Sequence, residues 1–183
     1  MILQFLNICD IILIYNKFSM IRLVFQVCVG VINMTNALMV ANTVLSIAFN
    51  KGIDITPMKL QKLTYFIYKQ YLKQTNEPLF PERFEAWQYG PVLTSVYDEF
   101  KLYGSNHIKD YYKSSDGKAW ILDIKANEDF SDALNFVWDK YADLDGIYLS
   151  SLTHKIGSAW YETLKNNNTL LDDNDIKKEE WYY

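Results

Sequence analysis

Cysteine is nearly absent from this chain. There are 2 in 183 residues, Cys9 and Cys28, and none follows Met34. No CxxC pair exists, and the 2 histidines, His107 and His154, lie far along the chain from both cysteines. A zinc site of the usual Cys/His kind therefore lacks its ligands. Disulfides cannot hold together anything beyond Met34, which fits a reducing cytosol. Glycine is also scarce, at 7 residues. No P-loop, GxGxxG, HExxH or GxSxG pattern occurs, so the backbone cradles that grip phosphates and the common hydrolase sites are excluded. Two histidines leave little material for a nucleophile–base pair or a metal-assisted hydrolase. The carboxylate pairs Asp98–Glu99 and Asp172–Asp173 are adjacent in sequence. Neighbours on a helix point in different directions, so these pairs read as solvated surface rather than an acid–base couple. Together these absences describe a chain with no cofactor, no metal and no catalytic apparatus.

An excess of positive charge is missing too. The formal net charge is −4, whereas domains that grip nucleic-acid backbones are usually clearly basic. Nucleic acid is not the expected partner. What the chain has in quantity is aromatic surface: 14 Tyr and 5 Trp, with half of all residues apolar. A disordered chain lacks this load, and the length suits one domain able to bury a real core.

The first 33 residues differ from the rest. Asp10, Lys17 and Arg22 are their only charges, and apolar runs such as Ile11-Ile12-Leu13-Ile14 lie between them. A membrane-spanning helix needs about 20 fairly continuous apolar residues, and these charges interrupt the run. A signal peptide needs a basic start and a small-residue cleavage site; no basic residue precedes Lys17. A hydrophobic helix packed on the domain is one remaining reading. The other is that translation naturally starts at Met34. Gly30-Val31 can be encoded by a purine-rich ribosome-binding sequence, and Thr35-Asn36 is a helix-start signature. The expected division is thus a hydrophobic extension over 1–33, not translated or packed as a helix, and a folded domain over 34–183.

From there the chain reads as mainly helical. Leu38, Ala41, Val44, Leu45 and Ala48 recur at helical spacing over 36–50, and Asn50-Lys51-Gly52 is a stop. Thr56-Pro57 starts a second helix, with Thr capping and Pro at the first helical position. Its stripe of Leu60, Leu63, Ile67 and Tyr71 predicts a core face, with Lys59, Lys62, Lys69 and Lys73 largely opposite and an end near Lys73. Residues 79–89 read as an ordered connection with a short strand. Gly90-Pro91 predicts a turn that launches a third helix, running through Val96, Tyr97 and Phe100 to Gly104. Asp116-Gly117 between Tyr111-Tyr112 and Trp120-Ile121-Leu122 signals a β-hairpin over 107–124. Further helices are expected over 131–141, 147–154 and 158–164. A last short one is capped by Asp173, with Ile176 inward. The fold class is a single compact helical domain with a small β-hairpin.

Four ordered blocks carry a resemblance. They are Ile55 to Tyr65 (ITPMKLQKLTY), Pro78-Leu79-Phe80, Glu85 to Val92 (EAWQYGPV) continuing to Val96-Tyr97 and Phe100, and Leu149 to His154 (LSSLTH) with Trp160 six residues on. In order and spacing this sequence resembles the Panacea domain, the family of SocA-like antitoxins and of phage-associated proteins labelled GepA. The resemblance covers roughly 36–165. It implies a cytoplasmic antitoxin, of bacterial or prophage origin, that neutralises a co-encoded toxin by direct contact. Alternatives within the resemblance are an adaptor that delivers the toxin to a protease, with a protease or chaperone as second partner, and a DNA-binding autoregulator. The long connection between the second and third helices speaks against a helix-turn-helix, and no membrane span is expected.

Residue by residue, Thr56, Pro57, Leu60 and Leu63 have structural reasons to be present. Lys59, Gln61 and Lys62 are expected on an exposed face, either solvated or turned to a partner. In an extended segment Glu85, Trp87 and Tyr89 share one side. That side is either core or an aromatic anchor for a partner, with Glu85 free to pair with a basic residue. Gly90 and Pro91 shape the turn beside them, and Tyr97 follows on the next helix. Thr153 reads as a cap. His154 reads as a hydrogen-bonded structural residue or a partner contact. These eleven, Lys59, Gln61, Lys62, Glu85, Trp87, Tyr89, Gly90, Pro91, Tyr97, Thr153 and His154, are the candidate partner-binding residues.

Overall fold

A computed structural model describes residues 35–181; the reading of residues 1–33 lies outside them. Helix α1 spans Ala37–Lys51 and α2 spans Pro57–Thr75. Strands β1 (Glu85–Trp87) and β2 (Gly90–Val92) follow, then α3 (Thr94–Phe100). After a long irregular segment come α4 (Glu128–Tyr141), α5 (Gly146–Thr153), α6 (Ala159–Lys165) and α7 (Asp173–Lys178). The described residues thus form a mainly helical fold with one two-stranded antiparallel hairpin.

The caps obey local chemistry. Asn36 accepts from Met39 N at 2.9 Å, and Gly52 closes α1 in the left-handed conformation at φ +66°. Thr56 caps α2, Pro57 occupies its first turn, and Asn76 ends it at φ +64°. The helix therefore runs two residues past Lys73. Helix α4 begins earlier than its apolar pattern suggests, at Glu128. Asn127 supplies the cap to Phe130 N at 2.9 Å, and Glu128 and Asp129 suit the positive end of the helix dipole.

Helix α2 is the axle of the fold, packed by α1, α3, α4, α5, α7 and β2. Every residue from Lys59 to Lys69 is buried. The expectation of one core stripe with lysines opposite is therefore wrong. A helix covered on all sides must satisfy each polar side chain internally. Lys69 does so through Glu179 at 2.7 Å and Glu180 O at 2.7 Å. Lys73 donates to Lys177 O and Glu179 O at 2.7 and 2.8 Å. Glu179 also accepts from Tyr65 OH at 2.6 Å and Ala159 N at 2.9 Å. The C-terminal residues are so strapped to α2 and α6, and Trp181 stacks on Tyr141 with ring centroids 6.0 Å apart.

The hairpin lies elsewhere than Asp116-Gly117 suggests. That dipeptide does form a tight turn, with Ser114 N to Lys118 O at 2.9 Å and Gly117 at φ +78°. Its flanks build no ladder, because α1 takes their polar groups. Asn42 accepts from Tyr112 N at 2.9 Å and donates to Tyr112 O and Trp120 O at 2.9 and 3.1 Å. Thr43 accepts from Leu122 N at 3.0 Å. The true hairpin joins Glu85 to Val92, Ala86 to Pro91 and Trp87 to Gly90. Its outer edge is closed by Ala86 N donating to Thr169 O at 2.8 Å and Leu171 N to Phe84 O at 2.9 Å. Pro91 accordingly sits in a strand and not at a helix start. Helix α3 begins three residues later, at Thr94.

Candidate partner-binding site

The hairpin turn Trp87-Gln88-Tyr89-Gly90 rests in a cradle of side chains. Trp160 Nε1 donates to Trp87 O at 2.7 Å. His154 Nε2 lies 3.1 Å from Gln88 O. Ser150 Oγ donates to Tyr89 O at 2.8 Å. Lys62 Nζ donates to Pro91 O at 2.8 Å. Gln61 closes the series: its amide nitrogen donates to Leu93 O at 2.9 Å, and its oxygen accepts from Leu93 N at 3.0 Å. Five carbonyls in seven residues lie within hydrogen-bond distance of side chains from α2, α5, α6 and the turn after α5. A turn with so many carbonyls facing inward needs these donors, since an unpaired buried carbonyl costs about 1–3 kcal/mol.

Gly90 shows how tightly the cradle closes. Its φ is +96°, a conformation side chains disfavour, and a Cβ there would lie 2.3 Å from Thr153 Oγ1 and 2.9 Å from Lys62 Nζ. Only glycine lets β2 approach α2 and α5 this closely. Gly146, the first residue of α5, has the same role: a Cβ would fall 2.9 Å from the backbone nitrogen of Lys59. Thr153 is fully buried and donates to Ser150 O at 2.7 Å, so it braces the end of α5 from within. His154 sets Nδ1 2.6 Å from Ser150 O while Nε2 faces Gln88 O. A neutral imidazole donates to one of these two carbonyls at a time.

Burial removes Lys59, Gln61 and Lys62 from the surface, against the expectation that they are exposed. Burial pushes the Lys62 amine down to about 7. Burial also lowers Lys59, and Asp143, Asp145 and Asp54 partly offset it. Among the described residues Glu85 forms no ion pair; its carboxylate accepts from the Trp87 indole N–H at 2.7 Å. Trp87 and Tyr89 do not share one strand face, because β1 ends at Trp87 and Tyr89 lies in the turn. They meet the same open space from different sides. Tyr89 is 60% exposed and Tyr97 40%. Trp87 packs edge-on against Tyr97, with ring centroids 4.7 Å apart.

That space is a cleft of about 430 Å³ between the first turns of α2, the hairpin and α3. Its walls include Met58, Trp87, Tyr89, Val92, Val96 and Tyr97, with Gln61, Lys62 and Lys101 also along it. Of the eleven candidates, Gln61, Lys62, Trp87, Tyr89 and Tyr97 border the cleft. Gly90, Pro91, Thr153 and His154 hold the turn from behind. Lys59 and Glu85 do not line it. Sequence reasoning missed Met58, Val96 and Lys101. Met58 lies three and four residues before Gln61 and Lys62, and Lys101 four after Tyr97, so helical spacing carried a signal for both.

The family model for "Antitoxin SocA-like, Panacea domain" matches residues 60–161. The chain belongs to this family. The matched span holds every donor and acceptor of the cradle, from Gln61 to Trp160, whereas α1, α7 and the C-terminal strap lie outside it. Antitoxin SocA of Caulobacter vibrioides (strain NA1000 / CB15N) is 30% identical over 124 residues, which are 66% of this chain and 66% of that relative. The alignment thus spans just under two thirds of the Caulobacter protein. No solved structure matches the chain. In this Panacea domain three of the four blocks that are scattered along the sequence meet around one turn, while Phe80 of the second block packs against Tyr68 and Phe84. Among the described residues no helix is long and apolar enough to cross a membrane.

Proposed function

We propose that this chain is a cytoplasmic antitoxin that neutralises a co-encoded toxin by direct contact, without chemistry of its own, through the aromatic surface of the hairpin turn. One observation carries the reading. The hairpin that presents Trp87 and Tyr89 beside Tyr97 of α3 is held by side chains along residues 87–93 before any partner arrives. Large aromatic side chains bury much area with few rotatable bonds, and anchors of this type dominate binding energy at interfaces. A turn already fixed spares the ordering cost that a mobile loop pays on association. Membership of an antitoxin family supplies the class of partner.

The test is co-expression with the small gene beside it, read as growth of a bacterial host. The wild-type chain restores growth while the toxin's level stays constant, which separates masking from delivery to a protease. Tyr89→Ala with Tyr97→Ala, both exposed, leaves the thermal melt in place and weakens the complex by at least about 30-fold, the loss of one hot spot of about 2 kcal/mol. Full rescue by the double variant removes the hairpin from the interface. A neighbouring gene that is harmless, or whose toxicity the wild type leaves untouched, ends the antitoxin reading itself.

A further inference from the structure

The apolar surface continues past the cleft onto α5. Gly146 seats the start of α5 on the first turn of α2, where a Cβ would lie 3.3 Å from Met58 Cβ, and Met58 lines the cleft. The next residue, Ile147, is 77% exposed. Ser150, three residues further along α5, holds the carbonyl of the exposed Tyr89 at 2.8 Å. Single exposed apolar residues are ordinary, but a patch joined to a cleft marks a contact surface. Charge is uneven around it. The turn between α4 and α5 carries Asp143 and Asp145, both exposed. With Asp54, they lie within electrostatic reach of the Lys59 amine, on the residue after Met58. Asp54 is answered by His107 at 3.1 Å and Lys109 at 3.7 Å. Among the described residues Asp143 and Asp145 form no ion pair. Asp145 accepts the backbone N–H of Tyr148 at 2.8 Å, which leaves its charge uncancelled. The cations of this face are spent: Lys59 is buried, Lys62 is buried and bonded to Pro91 O at 2.8 Å, and Lys101 is engaged by Asp98 at 2.7 Å.

We propose that this face receives a basic, apolar segment of the toxin, with one apolar side chain in the cleft, a flank resting on Ile147, and a lysine or arginine paired with Asp143 and Asp145. This rests on the antitoxin reading above and names the chemistry of its contact. Charge complementarity selects the occupant. The positive groups of the face are buried or already paired, whereas two carboxylates stand free in solvent at its edge. A basic segment is therefore attracted and an acidic one repelled. Both carboxylates are reached without any rearrangement of the fold. The apolar surface supplies burial, which sets how long the complex lasts. The carboxylates at the edge act chiefly on approach and orientation, so they govern the association rate. Exposed pairs of this kind are screened by salt.

The experiment uses the full chain and the toxin identified by growth rescue, with association and dissociation rates measured at about 0.05 M and about 0.5 M sodium chloride. Asp143→Asn with Asp145→Asn removes both charges and keeps the α5 cap, because asparagine caps as well as aspartate. The thermal melt stays in place. Wild-type association slows about tenfold or more from low to high salt, and the double variant loses much of that dependence; other charges of the toxin are common to both and cancel. At low salt the double variant associates about fivefold more slowly or worse. Ile147→Ala, on the exposed face of α5, shortens the life of the complex at least about threefold with an unchanged melt. Replacing the paired basic residue of the toxin by glutamine is costly against wild type and nearly free against the double variant. Equal salt dependence in wild type and double variant, a wild-type lifetime in Ile147→Ala, or self-association of the chain through Ile147 that the toxin does not displace overturns the inference, while growth rescue leaves the antitoxin reading standing. Absence of rescue by the wild type removes both.

Discussion

Replacing Gly90 by alanine tests whether the cradle is as tight as its geometry implies. Two costs add. The backbone at φ +96° is strained for any residue with a Cβ, at about 1 kcal/mol or more. The new methyl then meets Thr153 Oγ1 at 2.3 Å and Lys62 Nζ at 2.9 Å. Thr153 is wholly buried and bonded to Ser150 O, so it cannot swing aside, and overpacking of this kind costs about 1–3 kcal/mol. The sum, roughly 2–4 kcal/mol, is a large share of the 5–15 kcal/mol typical of a folded domain. Urea unfolding followed by circular dichroism reads it as a fall in midpoint with an unchanged slope. Thr153→Ala removes the nearer obstacle, so the double variant must be less destabilised than the sum of the two singles, by about 1 kcal/mol. A Gly90→Ala variant within about 0.5 kcal/mol of wild type, or strict additivity with Thr153→Ala, refutes the close approach of β2 to α5.

Other perturbations probe separate parts of the fold. Lys62 holds a folded-state value of about 7 against 10.5 in the unfolded chain. The unfolded state therefore binds the extra proton between these values, and stability must rise with pH across that window. The rise from pH 7 to pH 9 is about 2 kcal/mol, and chemical denaturation of Lys62→Met must lack this component. Glu179→Gln strips the negative charge from a buried pair and unbalances the bonds to Tyr65 and Ala159. Breaking such a pair costs about 3–5 kcal/mol, read as a large drop in Tm; a shift of a degree or two is incompatible with the strap. Asn42→Ala removes three bonds to the segment over 112–120, at about 1–3 kcal/mol. Limited proteolysis must show faster cleavage between Tyr111 and Leu122, and an unchanged rate there contradicts the role given to Asn42.

Much of the architecture was legible from residue order. The caps at Asn36 and Thr56, the stop at Gly52 and the helices carrying Leu134, Leu149 and Ile176 follow from spacing and local hydrogen-bonding chemistry, which act within a few residues. The family blocks were legible for the same reason, as ordered short strings. The misreadings arose where distant groups compete for the same backbone. Asp116-Gly117 has the right residues for a hairpin, but Asn42 and Thr43, some seventy residues earlier, take the bonds its flanks would have exchanged. Gly90-Pro91 has the right residues to launch a helix, but Lys62, Gln61 and the strand at Glu85 hold it extended.

Composition and periodicity alone therefore determined a helical, aromatic, cysteine-poor domain without a recognisable catalytic motif, and the place of most of its helices. Tertiary structure alone decided that Lys59, Gln61, Lys62 and Lys69 of α2 are buried, and that three of the four sequence blocks surround one turn. The reason is coverage. A helix's own pattern shows which face is most apolar, but whether its polar face is wet depends on how many neighbours pack against it. Helix α2 is packed on every side from Lys59 to Lys69, so Gln61 and Lys62 became internal ligands for the hairpin and Lys69 for the C-terminal strap.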